Sequence, residues 1–254
     1  MTSLVSTYTK PFLTVDEQLK RLTVRGMLIE NPEEAMRELQ PIGYYRLSGY
    51  WYPFRVKPEA ENQPRPSHFV ANTKLTEVLE IYYFDERLRV ELLRALGRIE
   101  VSLRFWVGHS LGKRGPSAHT DLEYLDFGGT GDPQEQLESS SNHQRHAEWL
   151  EKQKRAEAIS NEAFVAHIYN NYGEPLPIWA ATETMTFETL NRLYAGMLQQ
   201  DRDQIAVEFD LFREDGNGDS HTFANWIEHL RQTRNFCAHH ARLWNRNHTA
   251  PLDD

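Results

Sequence analysis

Cysteine is almost absent from this chain. Cys237 is the one cysteine in 254 residues, which excludes an intramolecular disulfide and fits a reducing, cytoplasmic setting. Long apolar runs are missing as well. No stretch approaches the eighteen or so apolar residues of a membrane-crossing helix, and Met1 to Lys10 carry no apolar signal core. Nor is there an excess of positive charge: the formal net charge is -9 and the pI is about 5.7. That balance argues against broad coating of nucleic acid but leaves room for one focused site. Several catalytic signatures are lacking. There is no Gly-x4-Gly-Lys-Ser/Thr phosphate loop, no Gly-x-Ser-x-Gly elbow and no His-Glu-x-x-His zinc pattern. His143 and His146 have metal-pair spacing without a supporting cysteine or acid signature, so they read as a solvated loop or helix start. No metal and no cofactor is expected.

What is present is enough for a core. Hydrophobic residues make up 39% of the chain, with 12 Phe, 11 Tyr and 6 Trp, which excludes global disorder. The length suits one large domain or two smaller ones. The pattern is helical nearly throughout, and no strand signal competes, although Phe69 to Asn72 suits an extended segment. Thr14 caps an expected helix over residues 15–29, with Asp16 and Glu17 in its first turn. Asn31, Pro32, Glu33 and Glu34 start another, which should end near Leu39 before Pro41. Residues 42–54 are aromatic and broken by Gly43, Gly49 and Pro53, which suggests short irregular helices. The longest signal runs over residues 75–111, with apolar residues at three- and four-residue steps. A mobile loop is expected over 126–143. Helices should follow at 147–159, 164–172, 178–197 and 202–212, with a last one from about His221. The proline-bearing stretch 58–66 separates a small N-terminal helical region, 1–66, from a helical domain, 67–254.

Near the C-terminus, Arg231 to Arg246 holds four arginines and the adjacent pair His239-His240 with no acid among them. A cationic, imidazole-bearing segment on an acidic chain points to an anionic ligand such as RNA. Within it, Arg234 precedes His239 by five residues, about one and a half turns of helix. A guanidinium clamps phosphate oxygens and stabilises developing charge, and an imidazole moves a proton near neutral pH. The spacing alone decides nothing. Random placement of 21 arginines and 11 histidines gives about three such pairs, and the chain contains five. They are Arg104–His109, Arg114–His119, Arg234–His239, Arg234–His240 and Arg242–His248. Arg114–His119 crosses Gly115-Pro116, and Arg104–His109 suits a cation pair at a helix end. The pair Arg234–His239 stands apart through its acid-free setting and the polar Asn235 that follows the arginine. On a continuous helix His240 points about 100° away from His239, so the two cannot face one phosphate equally.

The run Arg234-Asn235-Phe236-Cys237-Ala238-His239-His240-Ala241-Arg242-Leu243-Trp244-Asn245-Arg246 resembles the C-terminal signature of Abi-like (AbiD/AbiF type) bacterial abortive-infection proteins. Three further segments agree in order: residues 42–50, residues 83–89 with 98–104, and residues 172–179 with Glu183. One departure is 186–190, where a Phe-Gly pair is expected. The resemblance implies an all-α bundle of HEPN type. It also implies a metal-independent endoribonuclease that dimerises so that two motifs form one cleft. Carried over residue by residue, it makes Arg234 and His239 the catalytic pair and Asn235 their polar companion. The expected partners are RNA, either as substrate or as a structured small RNA, and a second copy of the chain.

Other roles compete for the same residues. Arg231, His240, Arg242 and Arg246 suit phosphate contacts, but the arginines equally suit salt bridges that lock the helix. Cys237 suits a small buried helix position, and Trp244 a core anchor. The aromatic run over 44–54 suits core packing, with a base-stacking platform as the alternative. For the whole chain, the alternatives are a non-catalytic RNA-binding module and a protein-interaction scaffold.

Overall fold

The computed structural model describes residues 9–60, 63–128, 139–247 and 252, without the side chains of 139–141. Much of the expected 126–143 loop, and His248 with its pairing to Arg242, lie outside the described residues. Those residues hold ten α-helices and no strand, so the protein is all-α. Their contacts resolve into two compact units. One comprises Met1–Arg89 with Arg242–Trp244, the other Val90–Ala241 with Asn245–Asp254. This division falls inside a helix rather than at the proline-bearing loop. Composition marks where a chain is exposed, whereas compactness follows which apolar faces bury one another.

In the first unit, α1 (Val15–Val24) opens with a capping box in which Thr14 and Glu17 each take the other's backbone N–H. It ends earlier than its apolar pattern suggests, because the chain turns at Gly26 with φ +90°. The second helix, α2 (Pro32–Ile42), starts on the Asn31 cap as expected but carries Pro41 inside its last turn. A short α3 (Tyr44–Trp51) follows. Leu22, Leu39, Leu47, Tyr50 and Trp51 fill the core with Leu75 and Val78 from the start of α4 (Leu75–Gly112). Tyr45, by contrast, is 91% exposed.

The core of this unit contains a polar knot. Asp85 on α4 is fully buried and receives four donors. The Tyr50 hydroxyl donates to its Oδ2 at 2.6 Å and the Arg89 guanidinium pairs with the same oxygen. The backbone N–H groups of Leu243 and Trp244 donate to its Oδ1 at 3.1 and 2.7 Å. Burial, reinforced by the Asp85 carboxylate, pushes the Tyr50 phenol above its ordinary range. Trp244 stacks on Tyr50 at 6.4 Å, the core anchor its size suggests.

The second unit is built on the rest of α4, with α5 (Ser139–Ala158), α6 (Ala163–Tyr172), α7 (Ile178–Thr184), α8 (Phe187–Ala195), α9 (Gln199–Val207) and α10 (Ser220–Ala238). Leu103, Val107 and Leu111 lie four residues apart on α4 and meet Trp149, Leu190, Tyr194 and Ile227. The single helix expected over 178–197 is two. Thr186 accepts the Thr189 N–H and starts α8, a cap signal hidden inside a continuous apolar pattern. His146 is not solvated. It is buried, stacks on Trp149 at 6.3 Å, and its Nε2 lies 3.0 Å from the His119 carbonyl oxygen.

Candidate functional site

Helix α10 is held at its N-terminus by Asp219, whose side chain accepts the Thr222 N–H at 3.0 Å. Phe223, Ile227 and Cys237 bury its inner face. Its last helical residue is Ala238, and His239 is the C-cap, whose N–H still closes a helical bond to the Asn235 carbonyl. Five helical residues turn the chain by about 140° beyond one full turn, which would set the two side chains apart.

The termination is a Schellman motif. The His240 N–H donates to the Cys237 carbonyl at 3.2 Å and the Ala241 N–H to the Phe236 carbonyl at 2.8 Å. His239 is the capping residue, with φ -94°, and its N–H reaches the Asn235 carbonyl at 3.0 Å. His240 takes the left-handed position at φ 54°, where glycine is the usual residue. The two imidazoles therefore leave the backbone from different conformations, and the 100° helical angle does not relate them. No glycine or asparagine flags this turn, so sequence reasoning missed it.

Each cation of the segment has a defined place. Arg231 makes a two-pronged pair with Glu228, Nε to Oε2 at 2.8 Å and Nη2 to Oε1 at 2.6 Å. The paired charges hold the Glu228 carboxyl below its ordinary range and raise the Arg231 guanidinium. In the first unit, Arg242 donates to the Gly49 carbonyl. The Arg246 guanidinium lies 3.7 Å from the centre of the Phe236 ring, a cation–π contact. The segment is free of acids only along the chain, since Glu228 and Glu100 reach it in space.

Arg234 and His239 are the less committed members. The Arg234 side chain is 38% exposed, and its Nε stands 3.7 Å from Glu100 Oε2. His239 is exposed, and no side chain holds its imidazole among the described residues. Glu100 is itself buried, and its other oxygen takes the Arg104 Nη2 at 2.6 Å. This carboxylate orients Arg234 and was not singled out from sequence. Asn235 is half-buried beside them.

Two other spacing matches are consumed by structure. Arg114 grips the buried Asp201 with Nη2 2.8 Å from both oxygens, and burial lowers the His119 imidazole to about 4. Arg104 donates to the Thr182 and Met185 carbonyls at 3.1 and 2.9 Å as well as to Glu100. No cluster of three or more metal-ligating side chains occurs among the described residues. No helix among them is long and apolar enough to cross a membrane.

The fold and site define an all-helical protein whose last helix ends in a partly exposed arginine and two exposed histidines. A family model described as "Abi-like protein" matches residues 37–245, so the chain belongs to the Abi-like family. That membership points to a role in abortive infection. No curated protein and no solved structure matches the chain significantly.

Proposed function

We propose that the protein is a metal-independent endoribonuclease of HEPN type, acting in the cytoplasm in an abortive-infection response. The observation that carries this reading is selective availability. Among the arginine–histidine pairs whose side chains are described, Arg234–His239 keeps its guanidinium partly exposed and its imidazole without a side-chain partner. Arg234 binds the scissile phosphate and stabilises the phosphorane as charge develops on its oxygens. His239 takes the proton of the attacking 2′-hydroxyl or returns one to the departing 5′-oxygen. The P–O bond to the 2′-oxygen forms as that to the 5′-oxygen breaks, which leaves a 2′,3′-cyclic phosphate and a 5′-hydroxyl. Base and acid are both needed, and a homodimer that brings two motifs to one cleft supplies two imidazoles. Arg231, His240, Arg242 and Arg246, neighbours of the pair along the chain, are the further phosphate contacts of this reading.

The test is cleavage of single-stranded RNA by the full chain in EDTA. His239→Ala is expected to lose about 10²–10⁴-fold in rate. Wild-type activity in that variant would sink the assignment. RNA affinity without cleavage in the wild-type protein would favour a non-catalytic RNA-binding module.

A further inference from the structure

We propose that a groove along α4 and α7 is a base-recognition subsite for the RNA strand that the Arg234–His239 pair acts on, a proposal that rests on the ribonuclease reading. The groove has a volume of about 620 Å³, within the range of small-ligand sites. Its walls are aromatic and open. Phe105 and Trp179 are 58% and 55% exposed, and the His109 ring lies parallel to Phe105 at 5.5 Å with 13° between the planes. Glycine creates the floor. A Cβ on Gly108 would stand 3.2 Å from Trp179 Cα, a tight contact, so the bare backbone at Gly108 favours the close approach of α7 to α4. Lys113 and Glu183 also line the groove, and neither enters an ion pair among the described residues.

This combination suits a nucleotide better than an apolar partner. Flat exposed rings stack a base in a sequence-tolerant way. Lys113 offers a cation to a neighbouring phosphate, and Glu183 accepts hydrogen bonds from exocyclic amino groups. The location favours the same strand. Arg104 lines the groove and occupies one oxygen of Glu100, while Arg234 approaches the other. The groove is therefore one carboxylate away from the proposed phosphate clamp. A strand held at Arg234 places an adjacent base against Phe105 and Trp179, with adenine and cytosine favoured over uracil by Glu183.

The test uses the full chain with 2′-O-methyl oligoadenylate, oligocytidylate and oligouridylate, which cannot be cleaved. Phe105→Ala and Trp179→Ala are each expected to weaken oligoadenylate binding about 10-fold. Phe105→Leu, which keeps apolar bulk but removes the ring, should do nearly the same. Glu183→Gln should narrow the difference between adenine and uracil. Wild-type affinity and base preference in all four variants overturn the proposal, even where His239→Ala abolishes cleavage. Altered sedimentation of the ring variants with unchanged RNA binding also overturns it and makes this face a contact between copies. If His239→Ala cleaves like wild type while the ring variants still lose affinity, the ribonuclease assignment fails and the groove stands.

Discussion

Helix α4 carries two buried carboxylates that each gather an arginine, and they serve opposite ends. In the first unit Asp85 is closed off entirely, with Tyr50, Arg89 and two backbone N–H groups saturating its oxygens. In the second unit Glu100 binds Arg104 tightly at 2.6 Å and Arg234 loosely at 3.7 Å. A saturated carboxylate fixes a chain segment, here Arg242–Trp244. A carboxylate that leaves one cation at long range orients that cation without consuming it. Charge and burial alone would class the two together, but the inventory of donors separates them.

Substitution tests that separation most forcefully at Asp85. Asp85→Ala strands the buried Arg89 and three further donors, and is expected to cost about 3–5 kcal/mol. Glu100→Ala should cost less, about 1–2 kcal/mol. Arg104 retains the Thr182 and Met185 carbonyls, and the 38% exposed Arg234 side chain reaches water. Urea denaturation of both variants reads the difference. Equal losses would erase the distinction between a structural and an orienting carboxylate.

The two spacing-matched histidines His119 and His239 offer a second contrast, in burial, and at His119 burial carries a pH dependence. Burial first, then the neighbouring His146, lowers the His119 imidazole to about 4. An unfolded chain protonates such a group near 6.5. Between these values the unfolded state binds more protons. The contribution is therefore complete above about pH 6.5 and is lost as pH falls towards 4, by up to about 3 kcal/mol. His119→Gln should flatten that part of the stability profile relative to wild type. An unaltered slope in His119→Gln would refute the burial argument.

Local rules made part of this architecture legible. Thr14 with Glu17, and Asn31 with Pro32, announce helix starts because a cap is a short-range device. The apolar repeat of α4 likewise announces its own length. What stayed hidden depends on distant partners. No local pattern says that Glu100 would face Arg234, that His146 would stack on Trp149, or that Arg246 would sit over Phe236. The break between α7 and α8 was hidden for a different reason. Thr186 carries a cap signal, but the apolar residues on both sides of it read as one helix.

The smallest expected effect separates His239 from its neighbour His240. His240 occupies the left-handed position of the Schellman turn at φ 54°, where a side chain costs roughly 1–2 kcal/mol relative to glycine. His240→Gly is therefore expected to stabilise the protein by about 1 kcal/mol. The His240 imidazole at this turn is also one of the proposed RNA contacts. The stabilised variant should accordingly bind RNA more weakly than wild type. If it gains stability and loses no affinity, His240 is only a turn residue, and His239 alone carries the chemistry of the pair.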